Sequence, residues 1–247
     1  SPGKISFRGN EIENLIGNIS FPQMIWMMVR GGLPTNEEAS LFEAALVAGV
    51  DHGPQAPSIA AARMAATCGV GINNAMATGI NMLGDIHGGA GEQCAELFYE
   101  ISLRIDNGAT FEKAIQEALR EWESGNGKII SGFGHRFHKP IDPRAPRLLE
   151  LVRLAAKENI VSGKYADIAE AIQSHLSIKK DIAMNIDGAT AVIFCELGFP
   201  APLSRGLFCL SRSVGILSHA WEQIEQGGRN KGPMPPKYLP KYILKNT

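Results

Sequence analysis

Three histidines stand in glycine-rich company: His52 in "DHGP", His87 in "DIHGGAG" and His135 in "GFGHR". Glycine beside an imidazole lets the backbone approach a ligand closely, and imidazole is the side chain whose proton moves most easily near neutral pH. The third histidine opens the loop "GFGHRFHKPIDPR", residues 132 to 144, which carries two histidines and two arginines. Imidazole and guanidinium from one irregular loop suit proton transfer on an anionic substrate, because guanidinium forks onto carboxylates. Asp187 in "MNIDGATAVIF" adds a carboxylate at the entrance of an apolar helix. Two readings stay open there: a helix N-cap, or a base that exchanges a proton with a carbon acid. Arg144 in "DPR", Arg212 in "SRSVG" and Arg229 in "GGRN" could clamp carboxylates, and each equally fits a surface ion pair.

Other chemistries find less support. Asp85 and His87 could ligate a metal, yet there is no HExxH, no His-x-His pair and no cysteine cluster, so no metal is expected. No GxSxG elbow is present, and "HGGAG" and "GFG" match neither the P-loop nor the dinucleotide fingerprint. Cys68, Cys94, Cys195 and Cys209 lie far apart, which fits a reduced, cytoplasmic protein. His138, His175 and His219 read as structural or solvated residues. A net charge of −1 with a pI near 6.6 provides no field for a phosphate backbone, so no nucleic acid is expected. No apolar run reaches the roughly twenty residues of a membrane helix, so no membrane partner is expected either.

The elements that must position these groups are helical. Thr35 and Glu38 form a capping box ahead of a stripe of Leu41, Phe42, Ala45 and Leu46 that stops at Gly49. A second amphipathic helix starts near Thr110 and carries Phe111, Ala114, Ile115, Ala118, Leu119 and Trp122 until "GNG". Residues 57–80 are so rich in Ala, Gly and Met that they read as a closely packed interior helix, a candidate dimer core. Further stripes occur at Leu148, Leu151, Val152 and Ala155, and at Ile168, Ile172 and Leu176. Residues 188–198, apolar all round, and 213–226 read as two more helices. "KII" at 128–130 is the best strand candidate, and the proline-rich tail after residue 226 must run extended. An all-α protein follows.

In this order the pieces resemble the citrate synthase superfamily over nearly the whole chain. The similarity rests on "FRGNEIENLIGNISFPQMIWMMVRGGLPT", "DHG", "IHGGAGE", "GFGHRFHKPIDPR", "NIDGATA" and "SRSVGILSHAWEQ". It implies that His87 hydrogen-bonds the thioester oxygen of an acyl-CoA enol, that Asp187 exchanges the proton on the adjacent carbon, and that His135 serves the oxygen on the oxaloacetate carbon. His52, Arg144 and Arg212 would hold carboxylates, and Gly132, Phe133, Gly134, Arg136 and Lys139 would lie near CoA. Where the family ends in an arginine-proline pair before a tyrosine, this chain reads "GRNKGPMPPKY", with Arg229 as a stand-in and Lys231 a weaker one. Only residues 36–50 join "GGLPT" to "DHG", shorter than in the synthases, so the chain is more similar to citryl-CoA lyases and the lyase module of ATP-citrate lyase. The implied protein is a citrate-synthase-like dimer, with a large helical body from residues 1–89 and 186–247 and a smaller lobe from 90–185. The implied reaction is cleavage of citryl-CoA to acetyl-CoA and oxaloacetate, the coenzyme A thioester being substrate. A citrate or 2-methylcitrate synthase, or a non-catalytic CoA-binding subunit, are the alternatives.

Overall fold

The computed structural model describes residues 3–135, 138–178, 182–230 and 236–238. Its elements are almost all helical, and they pack as two units, one of residues 1–50 and 85–211 and the other of 51–84 and 212–247.

The first unit opens with a two-residue hairpin, β1 (Ser6–Phe7) against β2 (Asn10–Glu11), and a single turn, α1 (Ile12–Leu15). Then α2 (Phe21–Arg30) starts at a capping box in which the Ser20 hydroxyl accepts from the Gln23 amide and the Gln23 side chain accepts from the Ser20 amide. The box read in the sequence starts α3 (Asn36–Gly49): the Glu38 amide donates to Thr35 Oγ1 at 3.1 Å and the Thr35 amide to Glu38 Oε2 at 2.8 Å. Such reciprocal caps satisfy amide donors that have no partner inside the helix. The unit continues with α6 (Ala90–Asp106), α7 (Phe111–Asn126), α8 (Arg144–Lys157), α9 (Lys164–Ser177) and α10 (Ile186–Glu196). Every residue of α10 from Gly188 to Cys195 is buried, as an all-round apolar helix must be. Beside it Trp26, Phe42, Phe194 and Phe199 form one aromatic cluster, with Trp26 edge-on to Phe199 at 4.8 Å and Phe42 stacked on Phe199 at 5.3 Å. Arg30 lies over Phe199 and donates from Nη1 to the carbonyls of Leu197 and Gly198, closing the C-terminal end of α10.

The second unit holds α4 (Pro57–Thr67), α5 (Ile72–Asn81) and the later part of α11 (Ala201–Gln226). Its core is small: Ala56, Ile59, Ala62, Ala75, Ile216 and Ala220. A Cβ on Gly79 would stand 2.7 Å from Ile216 Cγ2 and 2.9 Å from the Ser58 carbonyl, so the three helices meet where α5 has no side chain.

Three sequence expectations need correction. Residues 57–80 are two helices, because Gly69 takes a positive φ and Gly71 caps α5. "KII" is not a strand; an isolated bridge pairs Phe133, three residues further on, with Met184. The helix expected over 213–226 begins at Ala201. Among the described residues no helix is long and apolar enough to cross a membrane, and all four cysteines are free thiols.

Candidate active site

Within the first unit, α6 and α10 run in the same direction. A Cβ on Gly91 would contact the Asp187 carbonyl, Cys195 Sγ faces the Ala95 carbonyl, and the Tyr99 hydroxyl donates to the Phe199 carbonyl at 2.6 Å. The shared direction brings two helix N-termini to one end. The turn with His87 precedes α6, and Asp187 stands in the first turn of α10. The N-cap of α10 is Asn185, whose Oδ1 accepts from the amides of Asp187 at 2.9 Å and Gly188 at 3.3 Å. Asp187 is therefore not the cap, and its half-buried side chain stands against the positive end of the helix dipole.

The third histidine segment docks onto this entry. Phe133 bridges Met184, the Gly134 amide donates to the Ala183 carbonyl at 2.7 Å, and the Asn185 amide donates to the Gly132 carbonyl at 3.0 Å. The approach depends on glycine at both positions. Gly132 has φ +87°, a Cβ there would stand 2.9 Å from Gly188 Cα, and one on Gly188 would meet the Gly132 carbonyl. A further tie reaches the His87 turn: Ser131 Oγ donates to Gln93 Oε1 at 2.7 Å, and Gln93 Nε2 donates to the Asp85 carbonyl at 3.2 Å. Arg205 of α11 holds the same turn by ion pairs to Asp85, at 2.6 Å, and to Glu92. Ile86, next to His87, Gly134, next to His135, and Asn185, two residues before Asp187, line a cavity of about 1100 Å³, whereas Asp187 itself lines a separate, smaller cavity with Leu46, Phe194 and Leu207.

His135 lines two adjoining cavities, one shared with His138, Lys139 and Pro140 and the other with Lys128, Ile130 and Leu176. Its Nδ1 accepts from the His138 amide at 2.9 Å, so the neutral ring carries its hydrogen on Nε2. Burial, and then the neighbouring His138 ring 4.4 Å away, push its pKa below the ordinary 6.5. His138, read from sequence as a bystander, thus sets the tautomer of His135.

Arg144 is the first residue of α8 and forks onto Asp142, Nε to Oδ1 and Nη2 to Oδ2, both at 2.9 Å. Its Nη1 is left to reach another acceptor. Asp142 is 1% exposed and also accepts the Ile186 amide, joining the loop to the start of α10. Desolvation pushes the Asp142 carboxyl up, but the Arg144 fork and the amides of Arg144 and Ile186 outweigh it and hold the group below the usual carboxylate range. Burial pushes the Cys94 thiol well up, with Cys195 and Asp187 adding to it, which leaves Cys94 an inert wall of this region.

His52, half-buried, Arg212, buried, and Arg229, exposed, belong to the second unit. His219, in that same unit, bonds Asp51 through Nε2 at 3.2 Å, the structural role its sequence context suggested. Arg136 and Lys231 fall outside the described residues. Sequence reasoning missed Asp142, Asn185, Gln93 and Arg205. Asn185 and Asp142 left a signal, since Asn just before a helix and Asp before Pro at a helix start are capping and turn residues. Gln93 and Arg205 left none.

Residues 34–234 match the model of the family described as citrate synthase, C-terminal domain. The citrate synthase of Saccharolobus solfataricus is 31% identical over 85% of this chain and 54% of its own length. The structure of citryl-CoA lyase from Hydrogenobacter thermophilus superposes with a TM-score of 0.84 at 30% identity, covering 99% of this chain and 91% of that one. The ternary complex of carboxymethyl coenzyme A and oxaloacetate with citrate synthase from Thermoplasma acidophilum gives a TM-score of 0.73 at 26% identity, over 92% of this chain and 59% of that one. The chain spans about half the length of the curated relatives it matches.

Proposed function

The chain belongs to the citrate synthase family, and from that premise we propose that it is a carbon–carbon lyase of the citryl-CoA lyase type, cleaving citryl-CoA to acetyl-CoA and oxaloacetate. What supports this reading is that Ile86, Gly134 and Asn185, from the segments that carry His87, His135 and Asp187, border one cavity. In the cleaving direction the hydroxyl proton passes to His135, the bond to the acyl carbon breaks, His87 stabilises the enol or enolate oxygen, and Asp187 returns a proton to the new methyl group. His135 can take that proton on Nε2 once Nδ1 carries the ring hydrogen and releases the His138 amide. His52, Arg144, Arg212 and Arg229 hold the carboxylates. Gly132, Phe133, Gly134 and Lys139 would lie near CoA, the role also expected of Arg136. Closure of the smaller lobe that the resemblance implies would exclude water and strengthen the electrostatics.

The near-complete mutual coverage with a citryl-CoA lyase supports cleavage over condensation. One observation favours the reverse reaction: an Nε2–H on neutral His135 is suited to polarise a ketone, as a citrate or 2-methylcitrate synthase requires. Incubation with acetyl-CoA and oxaloacetate separates the two. Rapid release of free CoA marks a synthase, and breakdown of citryl-CoA alone marks a lyase. Tight CoA binding without turnover of any acyl-CoA would instead mark a binding subunit. Losing one oxyanion donor costs about 2.7–4 kcal/mol, so His87→Ala is expected to lower kcat by about 10²–10³-fold, with Asp187→Asn comparably impaired. Near-normal turnover in either would end this assignment.

A homodimer in the cytoplasm is part of the same reading. Its support is the exposed stripe of Val214, Leu217, Trp221 and Ile224 on α11, spaced at helical intervals, an apolar face that a second copy would cover.

A further inference from the structure

Asn185 uses every polar atom it has. Its Oδ1 caps α10, its amide donates to the Gly132 carbonyl, and its Nδ2 donates to the Gly134 carbonyl at 2.6 Å. The residue is 8% exposed, so these bonds are shielded from competing water. Gly134 is consequently held at both ends, its amide by the Ala183 carbonyl and its carbonyl by Asn185. That carbonyl belongs to the peptide unit that leads into His135. A glycine at φ +76° could otherwise swing this peptide freely.

We propose that Asn185 is a positioning residue for the reaction: through its side-chain amide it fixes the direction in which His135 leaves the loop, while the same side chain sets the first turn that carries Asp187. Capping alone needs only an oxygen at this position, and Ser is about as good an N-cap as Asn. Nothing in capping requires the Nδ2 donor or its reach to Gly134. The amide locks two reacting segments, more than fifty residues apart in sequence, to a common reference, and a displacement of about 1 Å between reacting groups can cost about 10²-fold in rate.

The inference rests on the proposed use of His135 and Asp187, and its test separates the two claims. Asn185→Ser keeps a capping oxygen and is too short to reach the Gly134 carbonyl; Asn185→Ala loses both. The expected result is a lower Tm in both variants, by less in the Ser variant, which keeps the cap, than in the Ala variant, which loses both bonds. For both variants kcat falls by about 10–100-fold while KM for the acyl-CoA stays within about threefold. The ring ¹H–¹³C NMR signals of His135, identified by their loss in His135→Ala, are expected to move in both variants. Recovery of kcat together with Tm in the Ser variant would overturn the proposal, leaving Asn185 a cap and nothing more. So would His135 ring signals in that variant that superpose on the wild type. If the wild type turns over no acyl-CoA ester, the proposed activity fails, and the ring spectra still decide whether Asn185 positions His135.

Discussion

The two units solve the packing of helices in opposite ways. The first surrounds a continuously buried helix with large side chains, among them Trp26, Phe42, Phe98 and Phe199, and fixes its loops by side-chain hydrogen bonds from Asp142, Asn185 and Gln93. The second brings helices together on alanine and glycine around Ile59 and Ile216, and leaves Met64, Val214, Leu217, Trp221 and Ile224 exposed. A fully buried large apolar side chain contributes about 1.5–3 kcal/mol, so the first unit has ample internal support, whereas a core of four alanines and two isoleucines has little. The difference teaches where precision is held. His87, His135, Asp187 and Arg144 lie in the unit with the strong core, and His52, Arg212 and Arg229 in the one with the weak core.

That contrast can be broken experimentally. The largest effect on stability is expected from Gly132→Ala, which adds a strained positive φ to a collision with Gly188 and Cys94; a loss of about 2–4 kcal/mol in denaturant unfolding is expected, and a loss below 1 kcal/mol would mean the loop and α10 are not in close contact. Asp142→Ala leaves the Arg144 guanidinium, which is 22% exposed, without its fork; about 2–3 kcal/mol should be lost, somewhat less than for a fully buried pair. The Asp142 pKa lies below its unfolded value, so its contribution is present above pH 3.8 and is lost as the pH falls through the folded-state pKa. The variant should therefore show a flatter decline in stability in that acid range.

In the second unit, Leu217→Glu should weaken the proposed self-association at least about tenfold by sedimentation and lower amide protection in α4 and α5 more than in α10. Equal protection losses in both units would erase the distinction drawn here. The smallest effect concerns pH. His135 has a folded pKa below 6.5, so the unfolded chain binds the proton first; stability falls as pH drops below 6.5, and the ring stays neutral to a lower pH than a free imidazole. The acid limb of the kcat/KM profile should lie below pH 6.5, and His135→Gln should flatten the stability slope in that window.

Much of the first unit was legible because its determinants are local. The Thr35–Glu38 box and the Thr110 cap announce their helices within four residues, and the apolar run after Asp187 announces a central helix. The second unit was harder. Alanine and methionine give high helix tendency and little periodicity, and Gly69 and Gly71, which break the run, were read as close-packing residues rather than as a turn. In the candidate site, the histidines and Asp187 stood out by composition. The residues that hold them did not, because Gln93 and Ser131, or Arg205 and Asp85, become neighbours only after α6, the loop and α11 have packed.

The glycine-on-glycine contact between residues 132 and 188 also limits how the proposed catalyst could be altered. Neither backbone can accept a substituent, so broadening the acyl group of the proposed substrate cannot proceed by trimming or enlarging side chains at that junction. Variation is directed outward, to Phe133, Ile129 and Ile182, whose side chains border the adjoining cavity and can change size without parting the two chain segments. Those three positions are where a library aimed at new thioesters should be concentrated.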